Sequence, residues 1–327
     1  MMIAKSLETW YARIKRPMPW RLAPGPYVCW ISEIMMQQTT YTTVLPYYER
    51  FLKLFPTVES LAAADESEVL KAWEGMGYYT RARNLHKAAR RFCGLQGERA
   101  DKGEAVVHSP AWPVSAAEWS AVPGVGPYTA AALSSVLAGE SVPVVDGNVA
   151  RVFARYWLLT DDFGKQNARA RLADRLLPEI KRAKVPGDFN QAMMELGALV
   201  CTPKNPSCGD CPLKKDCAAR KQGVQPDYPV KAQKGPVPVR KRTAVIVTDE
   251  AGRVLLVQNK EGGLLKGLWE LPSVEPSVDQ VQVFSHFKLE LSTVRAGRTD
   301  AVFMAPDEVP LATATRKVLQ KAGLLAD

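Results

Sequence analysis

Four cysteines stand close together near the end of the first two-thirds of this 327-residue chain, and they form the pattern C-x6-C-x2-C-x5-C: Cys201, Cys208, Cys211 and Cys217. Four thiolates on one short loop rich in Pro and Gly can close around a metal centre without a long-range fold. Such a set suits tetrahedral zinc or an iron–sulfur cluster. We favour a metal over disulfides because the first ten residues carry two charges and no secretory signal, which indicates a reducing compartment. The spacing alone leaves zinc and iron–sulfur both open.

Two carboxylates are candidates for acid–base chemistry. Glu33 lies in the apolar segment VCWISEIMMQQ (28–38), where loss of solvation would raise its pKa. From this segment alone, an exposed glutamate on an amphipathic helix is the simpler interpretation. Asp146 ends an apolar, strand-like run and can cap the following helix, a role that is compatible with catalysis. Cleavage of a glycosidic bond uses one acid and one carboxylate, but sequence separation does not say whether these two meet.

The segment VPGVGPY (122–128) lies between two helical stretches. Gly124 and Gly126 allow a tight turn that exposes backbone N–H groups at the N-terminus of the next helix, which suits a DNA phosphate. A lone Gly-x-Gly is usually a plain helix–helix turn. Here the flanking prolines and the following alanines indicate close helix packing, and the combination resembles the helix–hairpin–helix element of DNA repair glycosylases.

Composition favours a polyanionic partner. Forty-three Lys and Arg against thirty-four Asp and Glu leave a net charge of +9, with a pI near 9.2. This balance favours nucleic acid because neutralised phosphates release counterions, although many small-ligand enzymes share it. The chain is long enough for two domains and has no run of apolar residues that would cross a membrane. Cys29 and Cys93 are interpreted as buried small hydrophobes.

The elements that must position these residues change character along the chain. Apolar spacings of three and four predict a helical domain over residues 1–220, with helices at 68–73, 80–92, 130–137, 149–158 and 168–183. Residues 94–113 have no clear period and predict a loop. A basic, Pro-containing linker follows at 221–242. Residues 243–327 predict a small α+β domain, with strands at 243–247, 253–258, 280–284, 287–291 and 301–304, a hairpin turn at 249–252 and a closing helix at 312–323.

Several segments together resemble the adenine DNA glycosylases (the MutY family) of the helix–hairpin–helix superfamily over nearly the full length. They are MPWR (18–21), SEIMMQQT (32–39), GMGYYTRARNLHKAA (75–89), 122–131, 145–149, FNQAMMELGALVC (189–201) and the cysteine loop. The resemblance implies a mainly α helix–hairpin–helix glycosylase fold in which the cysteines of loop 201–217 ligate a [4Fe–4S] cluster that shapes a DNA-facing loop. It also implies a small α+β Nudix-like domain after the linker.

The resemblance also implies roles for the catalytic residues. Glu33 matches the acid that protonates adenine at N7, and Asp146 matches the carboxylate that stabilises the oxocarbenium ion. Tyr128 and Asn148 match positions that line the sugar and orient the acid or its water. Strand-cutting relatives carry a lysine where Tyr128 stands, so a monofunctional glycosylase that leaves an abasic site is expected.

Further positions match DNA contacts. The walls of the pocket for flipped adenine are matched by Arg16, Met18, Trp20, Arg21 and Gln191. Gln38 and Tyr78 match residues that wedge into the duplex. The segments GLLKGLWELP (263–272) and VFSH (283–286) carry the Nudix likeness, and Phe284, Ser285 and His286 match the loop that recognises 8-oxoguanine. The metal-binding acids of Nudix hydrolases are missing after Glu270, so pyrophosphate hydrolysis is not expected.

The expected protein is therefore a monomeric, cytoplasmic bacterial enzyme that acts on the nucleoid and excises adenine opposite 8-oxoguanine or guanine in double-stranded DNA. One alternative is a thymine (T:G) mismatch glycosylase of the same superfamily. Glu33 argues against it because thymine offers no N7 to protonate. A catalytically silent DNA-damage binder is the other alternative, which retention of both carboxylates disfavours.

Overall fold

A computed structural model describes residues 3–95, 111–230, 243–260, 266–274, 280–283, 288–291 and 302–326. The chain divides into two compact units, one formed by Met1–Thr40 and Arg91–Lys234 and the other by Tyr41–Arg90 and Gly235–Asp327. We call them the first and second unit. The predicted lesion loop (Phe284, Ser285 and His286) lies outside the described residues, as do most of the predicted loop at 94–113 and of the linker. The predicted domain boundaries stay predictions.

The described part of the first unit is helical, and the second unit combines helices with strands. In chain order the described helices are α1 (Ile3–Ile14), α2 (Pro19–Leu22), α3 (Pro26–Met36), α4 (Tyr41–Leu54), α5 (Val58–Ala63), α6 (Glu66–Ala72), α7 (Thr80–Phe92), α8 (Ala116–Ser120), α9 (Pro127–Leu137), α10 (Gly147–Trp157), α11 (Gln166–Ile180), α12 (Pro186–Leu199), α13 (Ala218–Gln222) and α14 (Thr313–Lys321). All five predicted helices of the N-terminal region are present, and α7 has the predicted bounds. Helix α9 begins three residues before its prediction because proline is well accommodated in the first turn of a helix. None of the described helices combines the length and the apolar character that crossing a membrane requires.

The core of the first unit joins α1, α10, α11 and α12. Leu7, Phe153, Leu176 and Phe189 come from these four helices and are fully buried within it. Burying each such side chain contributes about 2 kcal/mol before entropy is counted. Helix α1 and three consecutive helices from much later in the chain therefore share one apolar core.

Helix α12 approaches its neighbours closely at two glycines. A Cβ at Gly187 would lie 2.8 Å from the Ser135 carbonyl oxygen on α9. A Cβ at Gly197 would lie 2.5 Å from the Asn148 Cβ on α10. Real Cβ atoms do not approach other atoms so closely in a well-packed interior. Glycine at these positions thus sets the spacing of α9, α10 and α12.

The described residues of the second unit form α4–α6, most of α7, seven short strands and α14. The strands are β1 (Thr243–Ala244), β2 (Val254–Gln258), β3 (Trp269–Glu270), β4 (Ser273–Val274), β5 (Gln280–Val283), β6 (Lys288–Leu291) and β7 (Val302–Met304). They pair antiparallel as β1 with β4, as a three-stranded sheet in the order β3-β2-β7, and as β5 with β6. The predicted turn at 249–252 is confirmed by an antiparallel bridge between Thr248 and Val254. The strand predicted at 243–247 is shorter than expected because it pairs regularly with only the two residues of β4.

Candidate active site and cysteine loop

Glu33 lies on α3 and lines a cavity of about 160 Å³ in the first unit. Helix α3 places Trp30 and Ile34 in the core, where both are essentially fully buried, and this fixes the orientation of the helix. The Glu33 side chain is half-buried rather than exposed. The simpler interpretation of the segment, an exposed glutamate, is therefore wrong.

Three of the predicted pocket residues line the same cavity. They are Trp20, Arg21 and Gln191, and the phenol of buried Tyr11 donates a hydrogen bond of 2.5 Å to Gln191 Oε1. Met18 is buried immediately before α2 and does not line the cavity, and neither does Arg16. Of the five residues that the sequence predicted for the pocket wall, three line this cavity.

A carboxylate that the sequence reasoning missed holds both arginines. Glu195 on α12 has a side chain only 2% exposed, and it pairs with Arg16 at 2.8 Å and with Arg21 at 2.9 Å. A buried carboxylate with two guanidinium partners is well compensated. Part of the positive charge of Arg21 is therefore already balanced at the cavity wall.

The electrostatic surroundings of Glu33 favour its protonated form. Burial raises the pKa of Glu33 to about 7, with Arg21 acting in the opposite direction and the charge of Asp146 raising it further. A pKa in this range leaves a substantial protonated fraction at neutral pH. The charge of Asp146 therefore acts on Glu33, so the two carboxylates that the sequence left unrelated influence each other in the folded chain, although Asp146 does not line the cavity.

Asp146 is the N-cap of α10, as the sequence predicts. Its Oδ1 accepts a hydrogen bond of 2.7 Å from the Val149 N–H, and its Oδ2 accepts one of 2.9 Å from the Asn148 Nδ2. Burial raises the pKa of Asp146, while these hydrogen bonds and the charge of Arg151 act against the increase. Asp146 is thus a partly buried carboxylate whose two oxygens are both held by donors.

Arg151 connects this site to the cysteine loop and was not identified from the sequence. Its Nη2 donates to Asn148 Oδ1 at 2.8 Å and to the Gly197 carbonyl at 2.7 Å, and its Nε donates to the Cys201 carbonyl at 2.8 Å. The helical spacing i, i+3 between Asn148 and Arg151 is the signal that could have found it. A chain of hydrogen bonds therefore runs from Asp146 through the side chains of Asn148 and Arg151 to the carbonyl of Cys201.

A third overlooked residue, Asn190 on α12, holds the backbone segment that leads to Asp146. Its Oδ1 accepts from the Val144 N–H at 3.0 Å, and its Nδ2 donates to the Val142 carbonyl at 2.9 Å. The run before Asp146 looked strand-like in sequence but is not a strand in the structure. The Asn190 amide satisfies its backbone groups in place of a neighbouring strand.

Tyr128, at the start of α9, lies in the same electrostatic environment. Its hydroxyl donates to the Met194 Sδ at 3.2 Å, and Met194 lines the cavity. Burial raises the pKa of Tyr128 well above its ordinary value, and the charges of Glu33 and Asp146 add to the effect. The phenol is therefore neutral at any physiological pH, and it offers an O–H rather than an amine beside the two carboxylates.

The glycine turn before α9 has the geometry that the sequence indicated. Gly124 has φ +80°, and Gly126 is the N-cap of α9, where an added Cβ would meet no atom within 4 Å. The end of α3 is tied to this turn by a 3.1 Å hydrogen bond from Gln37 Nε2 to Thr129 Oγ1. The next residue, Gln38, is exposed and has φ +59°, so its side chain is accessible just after α3.

The four clustered cysteines line one cavity. All six cysteines, each within the described residues, are free thiols. Burial raises the pKa of Cys211 to about 11, and the charges of the other three cysteines contribute to the increase. Four sulfur donors gathered around one cavity are a set that a bound cationic centre stabilises. In the described part of the chain, no three His, Cys, Asp or Glu side chains are arranged to hold a single metal ion.

Arg155 holds the cysteine loop from inside. Its guanidinium is buried and donates to the carbonyls of Thr202 and Pro203 at 2.8 and 3.0 Å, and to the Cys201 Sγ at 3.4 Å. The planar guanidinium can satisfy several acceptors at once, which lysine cannot do in the same geometry. The residues present therefore fit a sulfur-ligated cluster whose loop is held by one buried arginine.

Comparison with known proteins decides the family. Residues 31–178 match the HhH-GPD superfamily of base excision DNA repair proteins, and residues 201–217 match the iron–sulfur binding domain of endonuclease III. The adenine DNA glycosylase of Buchnera aphidicola subsp. Schizaphis graminum is 30% identical over 285 residues, which cover 87% of this chain and 78% of that protein. This chain belongs to the adenine DNA glycosylase family. The helix–hairpin–helix fold and the iron–sulfur cofactor predicted from sequence are confirmed.

Two further comparisons, one with a sequence and one with a solved structure, show how far the similarity extends. The human adenine DNA glycosylase is 36% identical over 332 residues, covering 85% of this chain but only 58% of its own length. This member of the adenine glycosylase family thus spans less than two thirds of the human protein. A solved structure of a thermostable thymine-DNA glycosylase, 28% identical, aligns with a TM-score of 0.54 over 67% of this chain and 95% of its own.

In the second unit, the loop between α6 and α7 presents Tyr78. The side chain is 56% exposed, and its backbone has φ +49°. The Trp73 Nε1 donates to the Gly77 carbonyl at 3.1 Å, and Arg81 Nη2 donates to the same oxygen at 3.3 Å. The Arg81 guanidinium also lies 5.6 Å from the centre of the Tyr78 ring. This glycosylase-family loop therefore exposes one aromatic side chain on a hydrogen-bonded framework.

Proposed function

We propose that this protein is a monofunctional DNA glycosylase that removes adenine paired with 8-oxoguanine or with guanine. The single observation that carries the proposal is that Glu33 lines the cavity with its pKa raised to about 7, and that the charge of Asp146 contributes to this increase. Hydrolysis of a glycosidic bond needs one proton donor and one stabilising anion. These two carboxyl groups have the surroundings that each role requires.

In this mechanism adenine leaves the duplex and enters the cavity lined by Glu33, Trp20 and Gln191. Protonated Glu33 supplies a proton to N7, so the base departs neutral rather than as an anion. Positive charge develops on the sugar as the C1′–N9 bond breaks. Asp146, held by Asn148, stabilises that charge electrostatically. Water completes the hydrolysis and leaves an abasic site.

Tyr128 supports the monofunctional outcome. A strand-cutting mechanism requires an amine that forms a Schiff base with the sugar. The phenol of Tyr128 remains neutral and carries no nucleophilic nitrogen. It is therefore suited to line the sugar and not to attack it.

Contacts to double-stranded DNA are proposed at three places. The open N-terminus of α9 at Gly126 would bind a phosphate. Gln38 and Tyr78 would enter the base stack. Cys201, Cys208, Cys211 and Cys217 would ligate a [4Fe–4S] cluster, which when bound holds the loop in one conformation for backbone contacts. The net charge of +9 is consistent with this set of contacts.

A T:G mismatch glycosylase is the second candidate, favoured by the alignment with a thymine-DNA glycosylase. The test is single-turnover incubation with duplexes that contain A:8-oxoG, A:G or T:G, followed by alkaline cleavage of abasic sites. We expect cleavage at the two adenine mispairs and none at T:G. Cleavage at T:G alone would contradict the adenine assignment, and binding without any cleavage would indicate a silent binder.

Recognition of 8-oxoguanine by a Nudix-like domain is proposed from the sequence resemblance. Replacing Ser285 or His286 by Ala should lower the preference for 8-oxoguanine over guanine more than it lowers the excision rate. The measurement is the ratio of single-turnover rates on A:8-oxoG and A:G. Equal loss on both duplexes would show that these side chains do not read the lesion.

A further inference from the structure

The loop that presents Tyr78 is attached at both ends to one segment of the C-terminal region. The loop runs from Glu74 to Tyr79, and the segment is residues 309–316, which include the start of α14. All of these residues belong to the second unit. The two attachments use different chemistry and lie on either side of Tyr78 in the sequence.

The first attachment is ionic. The Glu74 side chain is only 4% exposed, and its Oε1 lies 2.7 Å from Arg316 Nε on α14. Its Oε2 lies 2.9 Å from Lys71 Nζ on α6, and the same ammonium donates to the Val309 carbonyl at 3.0 Å. A buried carboxylate that loses one partner becomes strongly unfavourable. Arg316 therefore holds the first residue of the loop.

The second attachment is a hydrogen bond. Tyr79 is buried, and its hydroxyl donates to the Leu311 carbonyl at 3.1 Å. Leu311 belongs to the apolar core of the C-terminal region and is itself fully buried. The residue after Tyr78 is thus fixed to a rigid part of the structure.

The loop between these attachments needs support from outside. Gly75, Gly77 and Tyr78 all have positive φ, and for Tyr78 this conformation is unfavourable. Conformations of this kind persist where surrounding contacts over-determine them. Trp73 at the end of α6 and Arg81 on α7 supply some of these contacts, and residues 309–316 supply others.

We propose that residues 309–316 form a brace that holds the Tyr78 loop in the conformation in which Tyr78 enters the duplex. Arg316 and Tyr79 are then positioning residues that act through Tyr78. This inference rests on the proposed function, in which Tyr78 unstacks the bases beside the mispair. It makes the C-terminal region a support of the DNA wedge in addition to its proposed reading of the lesion.

The test uses the full-length, cluster-loaded protein with Arg316→Gln and Tyr79→Phe, which remove one charge and one hydroxyl. Lys317→Gln, an exposed neighbour on α14, is the matched control, and Arg316→Lys is the conservative rescue. Amide hydrogen exchange of residues 74–79 measures the brace without DNA. Fluorescence of a 2-aminopurine base placed beside the A:8-oxoG pair measures unstacking by Tyr78. Thermal unfolding verifies that each variant is folded.

We expect faster exchange in residues 74–79 and about fivefold to tenfold weaker unstacking for Arg316→Gln and Tyr79→Phe. Lys317→Gln should behave as wild type, and Arg316→Lys should recover most of the loss. Combined with Tyr78→Ala, Arg316→Gln should add nothing further, because both act through one side chain.

Unchanged exchange in residues 74–79 for both variants would overturn the brace, as would losses that multiply with that of Tyr78→Ala. These outcomes are distinct from failure of the proposed function. That failure would appear as an absence of adenine excision by the wild-type protein, whatever the exchange data show.

Discussion

Glu33 and Asp146 are two carboxyl groups in one site, and their surroundings differ. Glu33 lies on the side of a helix whose neighbouring residues are apolar, and burial raises its pKa to about 7. Asp146 stands at a helix N-terminus, where a backbone N–H and an amide donate to its two oxygens. Burial acts on both groups, but only Asp146 has hydrogen-bond donors among the causes that lower its pKa.

Different hydrogen bonding of two carboxyl groups allows one site to contain both an acid and an anion at the same pH. Desolvation favours the neutral form of a carboxyl group, and hydrogen-bond donors favour its charged form. Placing donors around only one of two partly buried carboxyl groups favours the charged form of that group relative to the other. The proposed roles of Glu33 as proton donor and Asp146 as anion agree with the positions of Asn148, Val149 and Arg151.

The variant Glu33→Gln tests the proposed difference between the two carboxyl groups most directly, and we expect it to have the largest effect. The amide fills the same space but has no acidic proton, so excision should fall by about 100-fold to 10,000-fold while mismatch binding persists. Single-turnover excision and an equilibrium binding assay check the two halves. Glu49→Gln, at an exposed position on α4, is the control. Substantial residual excision would remove Glu33 from the acid role.

Gly197→Ala should disturb Asp146 indirectly, through Asn148. The new methyl group would overlap Asn148 and displace the side chain that donates to Asp146 Oδ2. Overpacking of this kind costs about 1–3 kcal/mol, and we expect excision to fall by more than stability alone explains. Gly209→Ala, where an added Cβ meets nothing within 4 Å, is the control. Excision at the wild-type rate by a folded Gly197→Ala protein would contradict this role for Asn148.

Arg151→Gln removes the charge that stabilises Asp146 and one link to the Cys201 carbonyl. Hydrogen bonds to charged groups contribute about 1.5–3 kcal/mol, so we expect at least a tenfold slower excision rate. The iron content should be measured in the same preparation, because the variant also loosens the cysteine loop. Arg182→Gln, a surface residue that pairs with Glu179, is the matched control. A normal rate would show that Asn148 alone positions Asp146.

The pH dependence gives the smallest effect. Because the acid must be protonated, the excision rate should fall about fivefold between pH 7 and pH 8 for a group with a pKa near 7. The raised pKa also means that Glu33 stabilises the folded state at pH values below its unfolded pKa. That contribution is lost as the pH rises through about 7. Glu33→Gln should therefore gain thermal stability relative to wild type between pH 5 and pH 8, and an equal difference at both would contradict the raised pKa.

Much of the fold was predictable because its signals are local. The helix Thr80–Phe92 has continuous apolar spacing, and the turn at 249–252 carries its own hairpin residues. The Asp146 cap likewise depends on residues within three positions of it. The missing strand before Asp146 shows the limit of local signals, since the partner of its backbone is the side chain of Asn190, which lies 46 residues from Val144 and 48 from Val142.

The sequence by itself determined what depends on neighbours along the chain. Four thiols within one loop, the glycine turn before α9 and the replacement of a lysine by Tyr128 can be recognised without coordinates. The raised pKa of Glu33 depends on the tertiary structure, because its burial and the charges of Arg21 and Asp146 arise from the packing of separate segments. The tertiary structure likewise revealed Arg151, Glu195 and Gly197, whose roles exist only where α12 meets its neighbours. The spacing of residues along the chain indicates local motifs, whereas desolvation and long-range contacts exist only in the folded chain.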